Sequence, residues 1–368
     1  MKYCNNCILP DTRPNIFINP EGLCNSKCSS SLKKINWKKR KKDFIKLLKN
    51  NINKKVPYDC IIPVSGGKDS TWQVLMALKY NLRPLCITWK TPQRSDIGKK
   101  NLENLIDLGV DHIDYSINPS IEKQLIYRSF VLEGSPALTM HMAIHNIPRI
   151  FADKFKVPLI LWGENSAFEY GTNDENLKGS DLTYNWRKKF GNLPKNFSKI
   201  SKGINQKYLY PYVSHLKKKD SVKEVFLGHY FSWDPVKIYK IVKRKGFLKN
   251  TKPFVGLYDF ADIDDLSIIT VHHWMKWYKF GFTRLWDNLS IEIREGRISR
   301  NNAIKIIQKQ SSKIPSAEIK NFCKYLNISN KNFFKIAEKH RNKRIWFENK
   351  KKNFWYIKNF LIKNYKWK

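Results

Sequence analysis

Between residues 59 and 162, short unbroken apolar runs alternate with longer stretches of helical spacing. Cys60–Val64, Arg83–Trp89, His112–Ile117 and Pro158–Trp162 are short enough, and rich enough in β-branched and aromatic residues, to predict strands. The stretches between them, from about Ser70 to Lys79, from Ile97 to Leu108 and from 120 to about 155, carry the period of a helix. Strands separated by helices predict the α/β class, with a parallel, doubly wound sheet covered on both faces. Ligands of such sheets gather at the carboxyl ends of the strands. Three segments are therefore expected to converge: the turn at Ser65, Thr88-Trp89-Lys90, and Gly163-Glu164-Asn165. Pro63 cannot donate to a ladder, so it belongs at the end of its strand.

The flanks follow other patterns. Residues 33 to 55 are lysine-rich, with apolar positions Ile35, Phe44, Ile45, Leu47 and Leu48 at helical spacing, and read as a helix leading onto the sheet. Residues 171 to about 215 are polar and weakly periodic, and predict a lid, a substrate loop or an insertion. The segment 224 to 235 reads as extended, followed by a helix to about Gly246 with Asp234 as its cap and Pro235 in its first turn. From 251 the chain is expected to be mostly helical, over 262–280, 300–310, 316–325, 329–340 and 352–364. The organisation expected is residues 1–34, 35–250 and 251–368.

Composition narrows the class. Of 368 residues 42% are hydrophobic and 14% aromatic, enough to bury a sizeable core. Net charge is 69 − 31 = +38, which invites a nucleic-acid reading. The excess is lysine scattered among Asn and Ile along the chain, and a solvated lysine surface is the reading preferred here. No run of about 18 apolar residues is present to span a membrane, and the first residues hold no apolar signal core. Cysteine usage points to a reducing compartment, so a cytoplasmic protein is expected.

The cysteines also predict a site. Cys4-x-x-Cys7 and Cys24-x-x-x-Cys28 are separated by sixteen residues containing Pro10, Pro14, Pro20 and Gly22. Two such pairs resemble a zinc ribbon, in which four thiolates close a structural tetrahedron.

Candidate catalytic chemistry lies at Ser65-Gly66-Gly67-Lys68-Asp69-Ser70. A glycine turn between strand and helix turns backbone N–H groups into one concavity at the positive end of a helix, which suits phosphate. Lys68 adds a mobile cation, and Asp69 a carboxylate able to hold Mg2+. Ser70 and Gln73 fit a capping box. Neither GxxxxGK[ST] nor GxGxxG is present. The hexapeptide resembles the SGGxDS loop of the ATP pyrophosphatase (PP-loop) superfamily. Its members cleave ATP between the α- and β-phosphates and adenylate a carbonyl-type oxygen. The segment Gly163 to Gly171 resembles the glycine-to-glutamate stretch of amidating PP-loop enzymes such as NAD synthetase. That resemblance implies Glu169, six residues after Gly163, as a second Mg2+ ligand.

Farther along, the chain holds His272-His273 and the arginines Arg284, Arg294, Arg297 and Arg300. Such arginines suit a diphosphate or a carboxylate. Cys4-x-x-Cys-Ile-Leu-Pro-Asp-Thr-Arg-Pro14, the phosphate loop, Glu169-Tyr170-Gly171, Lys279-Phe-Gly-Phe-Thr-Arg284 and Ile293-Arg-x-Gly-Arg-Ile-Ser-Arg300 together resemble the N-acetyl sugar amidotransferase family of bacterial surface-glycan pathways. The resemblance implies an ATP-dependent conversion of an acetamido group of a sugar or nucleotide sugar into an acetamidino group. ATP would be held by Ser65, Gly66, Gly67, Lys68, Asp69, Ser70, Thr88 and Gly163. Lys68, Asp69 and Glu169 would be catalytic. The sugar would meet Glu164, Asn165, Tyr170, His273, Lys279, Arg284, Arg294 and Arg297. It also implies ammonia from a separate glutaminase subunit resembling the histidine-biosynthesis amidotransferase, often with a cyclase-like companion. Two rivals are kept: a PP-loop tRNA thiolase, which would need cysteines at the loop, and a non-catalytic nucleic-acid-binding module.

Overall fold

The computed structural model describes residues 1–26, 28, 35–52, 55–191, 196–214, 222–310, 313–363 and 367. After α1 (Trp37–Asn51) come β1 (Cys60–Pro63), α2 (Lys68–Lys79), β2 (Pro84–Trp89), α3 (Asp96–Ile106) and β3 (Asp111–Tyr115). Next are α4 (Pro119–Glu133), α5 (Leu138–Phe155) and β4 (Leu159–Trp162). Two helices thus stand where one helical region was expected. The break is Gly134, at φ +61°, where an added Cβ would lie 2.5 Å from the His340 ring.

The sheet is parallel, doubly wound and five-stranded in the order β3-β2-β1-β4-β5, its last strand being β5 (Lys223–Phe226). Strands β2 and β3 step away from one side of β1, and β4 and β5 from the other. The order therefore reverses between β1 and β4, where a crevice opens beyond the strand ends. Pro63 is the last residue of β1, paired with Ile87, so it interrupts no ladder.

Alternation along β1 sorts the two faces. Cys60 and Ile62 pack with Trp72, Val74 and Ala77 of α2 and with Phe44 and Leu48 of α1. Ile61 packs on the other face with Met142, Ala143 and Ile147 of α5. Helix α5 is the return element before β4, so its first turns lie at the carboxyl ends of the strands.

The stretch 171–215 is not the long loop expected. After α6 (Ser166–Tyr170), its described residues hold a single turn at Glu175–Lys178, α7 (Tyr184–Phe190), α8 (Phe197–Ile200) and α9 (Gln206–Val213). Leu177, Leu182, Trp186, Ile200, Leu209 and Tyr212 anchor these pieces in the core on the α5 side. Each piece is too short to impose a period on the sequence. After β5 come α10 (Leu227–Tyr230) and α11 (Pro235–Lys243), and Asp234 caps the latter, accepting from the N–H groups of Val236 and Lys237.

The C-terminal part holds α12 (Ile268–Phe280), α13 (Arg284–Arg294), α14 (Arg300–Gln310), α15 (Ser316–Leu326) and α16 (Asn330–Lys339). Helix α13 was not expected. The helix expected over 352–364 is replaced by an antiparallel hairpin of β6 (Trp346–Asn349) and β7 (Phe354–Ile357). Asn353 turns the corner at φ +47°, and residues 364–366 lie outside the described residues. Aromatic packing decides against the helix: Arg341 sits among the rings of Tyr278, Trp346, Trp355 and Trp367 at 4.4–5.2 Å. Cys4, Cys7, Ile8 and Leu9 share a core with Trp274, Trp277 and Trp286, so the N-terminal ribbon packs on these helices.

Candidate active site

A cavity of about 430 Å3 opens at the reversal point between β1 and β4. Its walls include Ser65, Gly67, Lys68, Asp69 and Ser70 after β1, Thr88 and Trp89 at the end of β2, and Gly163 and Glu164 after β4. The convergence expected from the sequence is there, except that Lys90 and Asn165 stay out of the lining. This size matches a small-molecule site.

The turn after β1 is made by backbone. Gly66 has φ +83°, and a Cβ there would sit 2.9 Å from the Gly98 carbonyl and the Leu102 nitrogen. Gly67, in extended conformation, is the N-cap of α2, so the helix begins two residues before Ser70 and the capping box does not form. Ser70 instead folds back, its hydroxyl donating to Gly67 O at 2.9 Å and accepting from Ser65 N–H at 3.3 Å. The Ser65 hydroxyl accepts from Gly67 N–H at 3.2 Å. Gln73, with its amide oriented to satisfy both neighbours, donates to Leu161 O and accepts from Gly163 N–H, tying the turn after β1 to that after β4.

Lys68 is buried, pairs with Asp69, and lies 5.5 Å from the centre of the Trp233 ring. The other Asp69 oxygen accepts from Trp233 Nε1 at 2.9 Å. Glu164 lines the same cavity. Burial, then the nearby Asp69 charge, push its carboxyl up to about 7. Two carboxylates beside a phosphate-type turn fit a divalent cation.

Glu169 lies elsewhere. It is buried beside Arg294, which itself lies near Cys7 and Cys28, and does not line the cavity. Helix α6 carries it away from the strand ends toward the ribbon, where Gly171 abuts Asn25, Ile16 and Ser26. Glu164 occupies the place beside Asp69 that the sequence reading gave to Glu169. Asn165 is structural: it caps α6, donates to Leu177 O and Gly179 O, and accepts from Trp186 Nε1.

The C-terminal part closes the site. Phe260, Ala261, Asp262, Ile263, Asp264 and Asp265 line the cavity. This segment is pinned to the loop after β2 by Ser95 N–H to Asp264 O, Leu266 N–H to Gln93 O, and the contact of Thr91 with Asp265. Arg284 reaches the same space, donating to Tyr170 OH at 3.5 Å and standing 3.7 Å from Asp287. Arg13 of the ribbon donates to Asp287 at 2.8 Å and covers the Tyr170 ring at 4.8 Å. His273 is 3.6 Å from Asp262, and burial lowers it to about 4, so it is neutral. The sequence reading missed Trp233, Asp262, Asp264 and two histidines of α5. For the two aspartates the acidic run at 262–265 was the available signal, being unusual in so basic a chain.

Other expected contacts are structural. Lys279 donates to Glu133 O, Arg297 ties Glu292 to Asp234, Arg294 donates to Ser26 Oγ, and Arg300 donates to the carbonyls of Cys7 and Cys4. Thr88 lines the cavity and shares a hydrogen bond with His112 Nε2 at 2.8 Å.

Cys4, Cys7, Cys24 and Cys28 form one buried cluster, their sulfurs all within 4.8 Å of one another. Cys7 and Cys24 are 3.7 Å apart, close to the roughly 3.8 Å edge of a tetrahedron with Zn–S bonds of about 2.3 Å. The donor set fits a metal ion, and the wider spacing of the second pair does not displace Cys28. Cys60 and Cys86 are buried within the sheet, and neither lines the cavity. Among the described residues, no helix is long and apolar enough to cross a membrane.

Comparison with known proteins finds one family model over the C-terminal part of the chain. Residues 250–361 match the family model described as LPS biosynthesis protein WbpG-like, C-terminal domain. The segment lining the cavity from 260 to 265 and Arg284 both fall inside that match. The structure of NMN synthetase from Francisella tularensis is also similar to this chain, at 14% identity and a TM-score of 0.27, covering 60% of this chain and 100% of that one. No curated protein matches.

Proposed function

We propose that the chain is an ATP-dependent amidotransferase that converts an acetamido group of a sugar or nucleotide sugar into an acetamidino group during surface-glycan synthesis. One observation carries this reading. A phosphate-type turn with two carboxylates shares a single cavity with a wall supplied by the WbpG-like region.

An amide carbonyl is a poor electrophile, and its oxygen leaves badly. In the proposed reaction the acetamido oxygen attacks the α-phosphorus of ATP and pyrophosphate leaves. The resulting O-adenylyl imidate is attacked at carbon by ammonia. The added nitrogen then loses a proton, its lone pair expels AMP, and the amidine remains. The turn at Ser65–Ser70 and Lys68 hold the departing pyrophosphate, whose charge the helix terminus favours. Thr88 lies beside the adenosine. Asp69 and Glu164 hold Mg2+, which when bound supplies charge neutralisation at the phosphates. Arg284 faces the reacting groups from the far wall. The four cysteines hold Zn2+ as a structural ion, which keeps Arg13 against Asp287.

Ammonia comes from a separate glutaminase resembling the histidine-biosynthesis subunit, with a cyclase-like companion, and the chain works in the cytoplasm. A tRNA thiolase is disfavoured because burial holds Cys60 and Cys86 as thiols inside the sheet. The test is mass spectrometry of products formed from ATP, isotopically labelled ammonium and a panel of UDP- and CMP-linked N-acetyl sugars. The reading predicts one added labelled nitrogen, one lost oxygen, and AMP. ATP-to-AMP conversion without a labelled sugar would contradict it. Equal use of glutamine by the isolated chain would contradict the partner.

A further inference from the structure

Helix α5 faces the opposite side of the sheet from α2, and its first turns bring His141 and His145 to the cavity wall, one helical turn apart. His145 is the unusual one. Its Nδ1 is buried and has no hydrogen-bond partner among the described residues. The ring is held all the same, 4.8 Å from that of Trp162 and 5.6 Å from that of Trp186. Both indoles are themselves fixed, Trp162 Nε1 donating to Glu224 and Trp186 Nε1 to Asn165. A buried ring nitrogen locked in place without a partner costs stability, and such a cost is expected where a ligand completes the bonding.

We infer that His145, with Trp162 and Trp186 beside it, forms the acceptor subsite, and that its neutral imidazole hydrogen-bonds the N-acetyl sugar. The inference rests on the amidotransferase reading and assigns where that reading's sugar lies. The phosphate turn, Asp69 and Glu164 already occupy the nucleotide side of the cavity. The α5 side is lined by Ile144, Ile147, Trp162 and Trp186, with no carboxylate among them, and suits an uncharged ring with a few polar contacts. Burial, and then the charge of Arg187, hold His145 down at about 4, so it meets the sugar as a neutral donor and acceptor. The i,i+4 pair in Met140-His141-Met142-Ala143-Ile144-His145 was its only mark in the sequence.

The test is calorimetric binding of UDP- and CMP-linked N-acetyl sugars to the full chain with a non-hydrolysable ATP analogue, for the unaltered protein, His145→Ala and His145→Gln. Binding of the analogue itself reports that each variant is folded. The expected result is a sugar affinity about tenfold lower in His145→Ala, with ATP-analogue affinity unchanged and most sugar affinity kept in His145→Gln, whose amide offers a neutral donor and acceptor. Equal sugar binding by the unaltered chain and His145→Ala would overturn the subsite while leaving the proposed reaction standing. Analogue binding with no sugar bound by the unaltered chain would overturn both.

Discussion

Two strand-to-helix turns stand side by side in the cavity wall, and they were read from the sequence with different success. The turn after β1 is built by backbone: Gly66 at φ +83°, Gly67 at the helix cap, and two serine hydroxyls folded onto the main chain. Its shape is a local property, so its residues announce it. The turn after β4 contributes a side chain, and which carboxylate it presents depends on where α6 is docked. Here α6 leans on the ribbon, so Glu169 faces Arg294 and Glu164 faces Asp69. Local geometry can be read along a chain. The destination of a side chain on a short, tertiary-docked helix cannot.

Substitutions at the two turns should differ accordingly. Asp69→Ala should have the largest effect, abolishing both AMP release and the amidated product in a discontinuous ATP assay. Residual turnover would remove Asp69 from the proposed metal site. Gly66→Ala comes next. It imposes a Cβ against backbone at 2.9 Å in a left-handed conformation, and should cost about 1–3 kcal/mol in thermal unfolding along with most ATP affinity.

The comparison sharpens with Glu164→Gln against Glu169→Gln. The first should lower Mg2+-dependent ATP consumption by about a hundredfold, and the second should leave the Mg2+ dependence in place. A metal bound by Glu164 needs the carboxylate ionised, so Mg2+ affinity should fall as pH drops through about 7, and Glu164→Gln should lose that limb. The sign for stability is opposite. A raised carboxyl favours folding in its neutral form, so that contribution is complete below the ordinary carboxylate range and is lost as pH rises through about 7. If Glu169→Gln instead erased the Mg2+ dependence, the assignment across the two turns would be reversed. Cys28→Ser should cut zinc content measured by atomic emission and lower the unfolding temperature. Trp233→Phe, which removes one hydrogen bond to Asp69, should change turnover by only about tenfold or less.

The sheet and most of the helices that position the cavity were legible because strands and helices alternate with clear periods, and one helix start was marked by Asp234-Pro235. Two regions were not. The pieces between 171 and 214 are each anchored by only one or two apolar residues, such as Leu177, Trp186 and the pair Leu209 and Tyr212, so no period betrays them. The hairpin at 346–357 has apolar residues compatible with a helix, and only aromatic packing around Arg341 selects strands. At the site, the cysteine cluster and phosphate turn were legible from spacing. Asp262 and His145, which line the cavity, and Trp233, which bonds Asp69, come from distant elements that only the folded chain brings together.

The most direct test of the proposed chemistry follows one oxygen atom. An acceptor sugar whose acetamido oxygen is isotopically heavy, turned over with ATP and ammonium, should deliver that oxygen to the phosphate of AMP, because the oxygen that attacks the α-phosphorus leaves with it. Heavy oxygen recovered in pyrophosphate or in water, with unlabelled AMP, would contradict adenylation of the sugar amide.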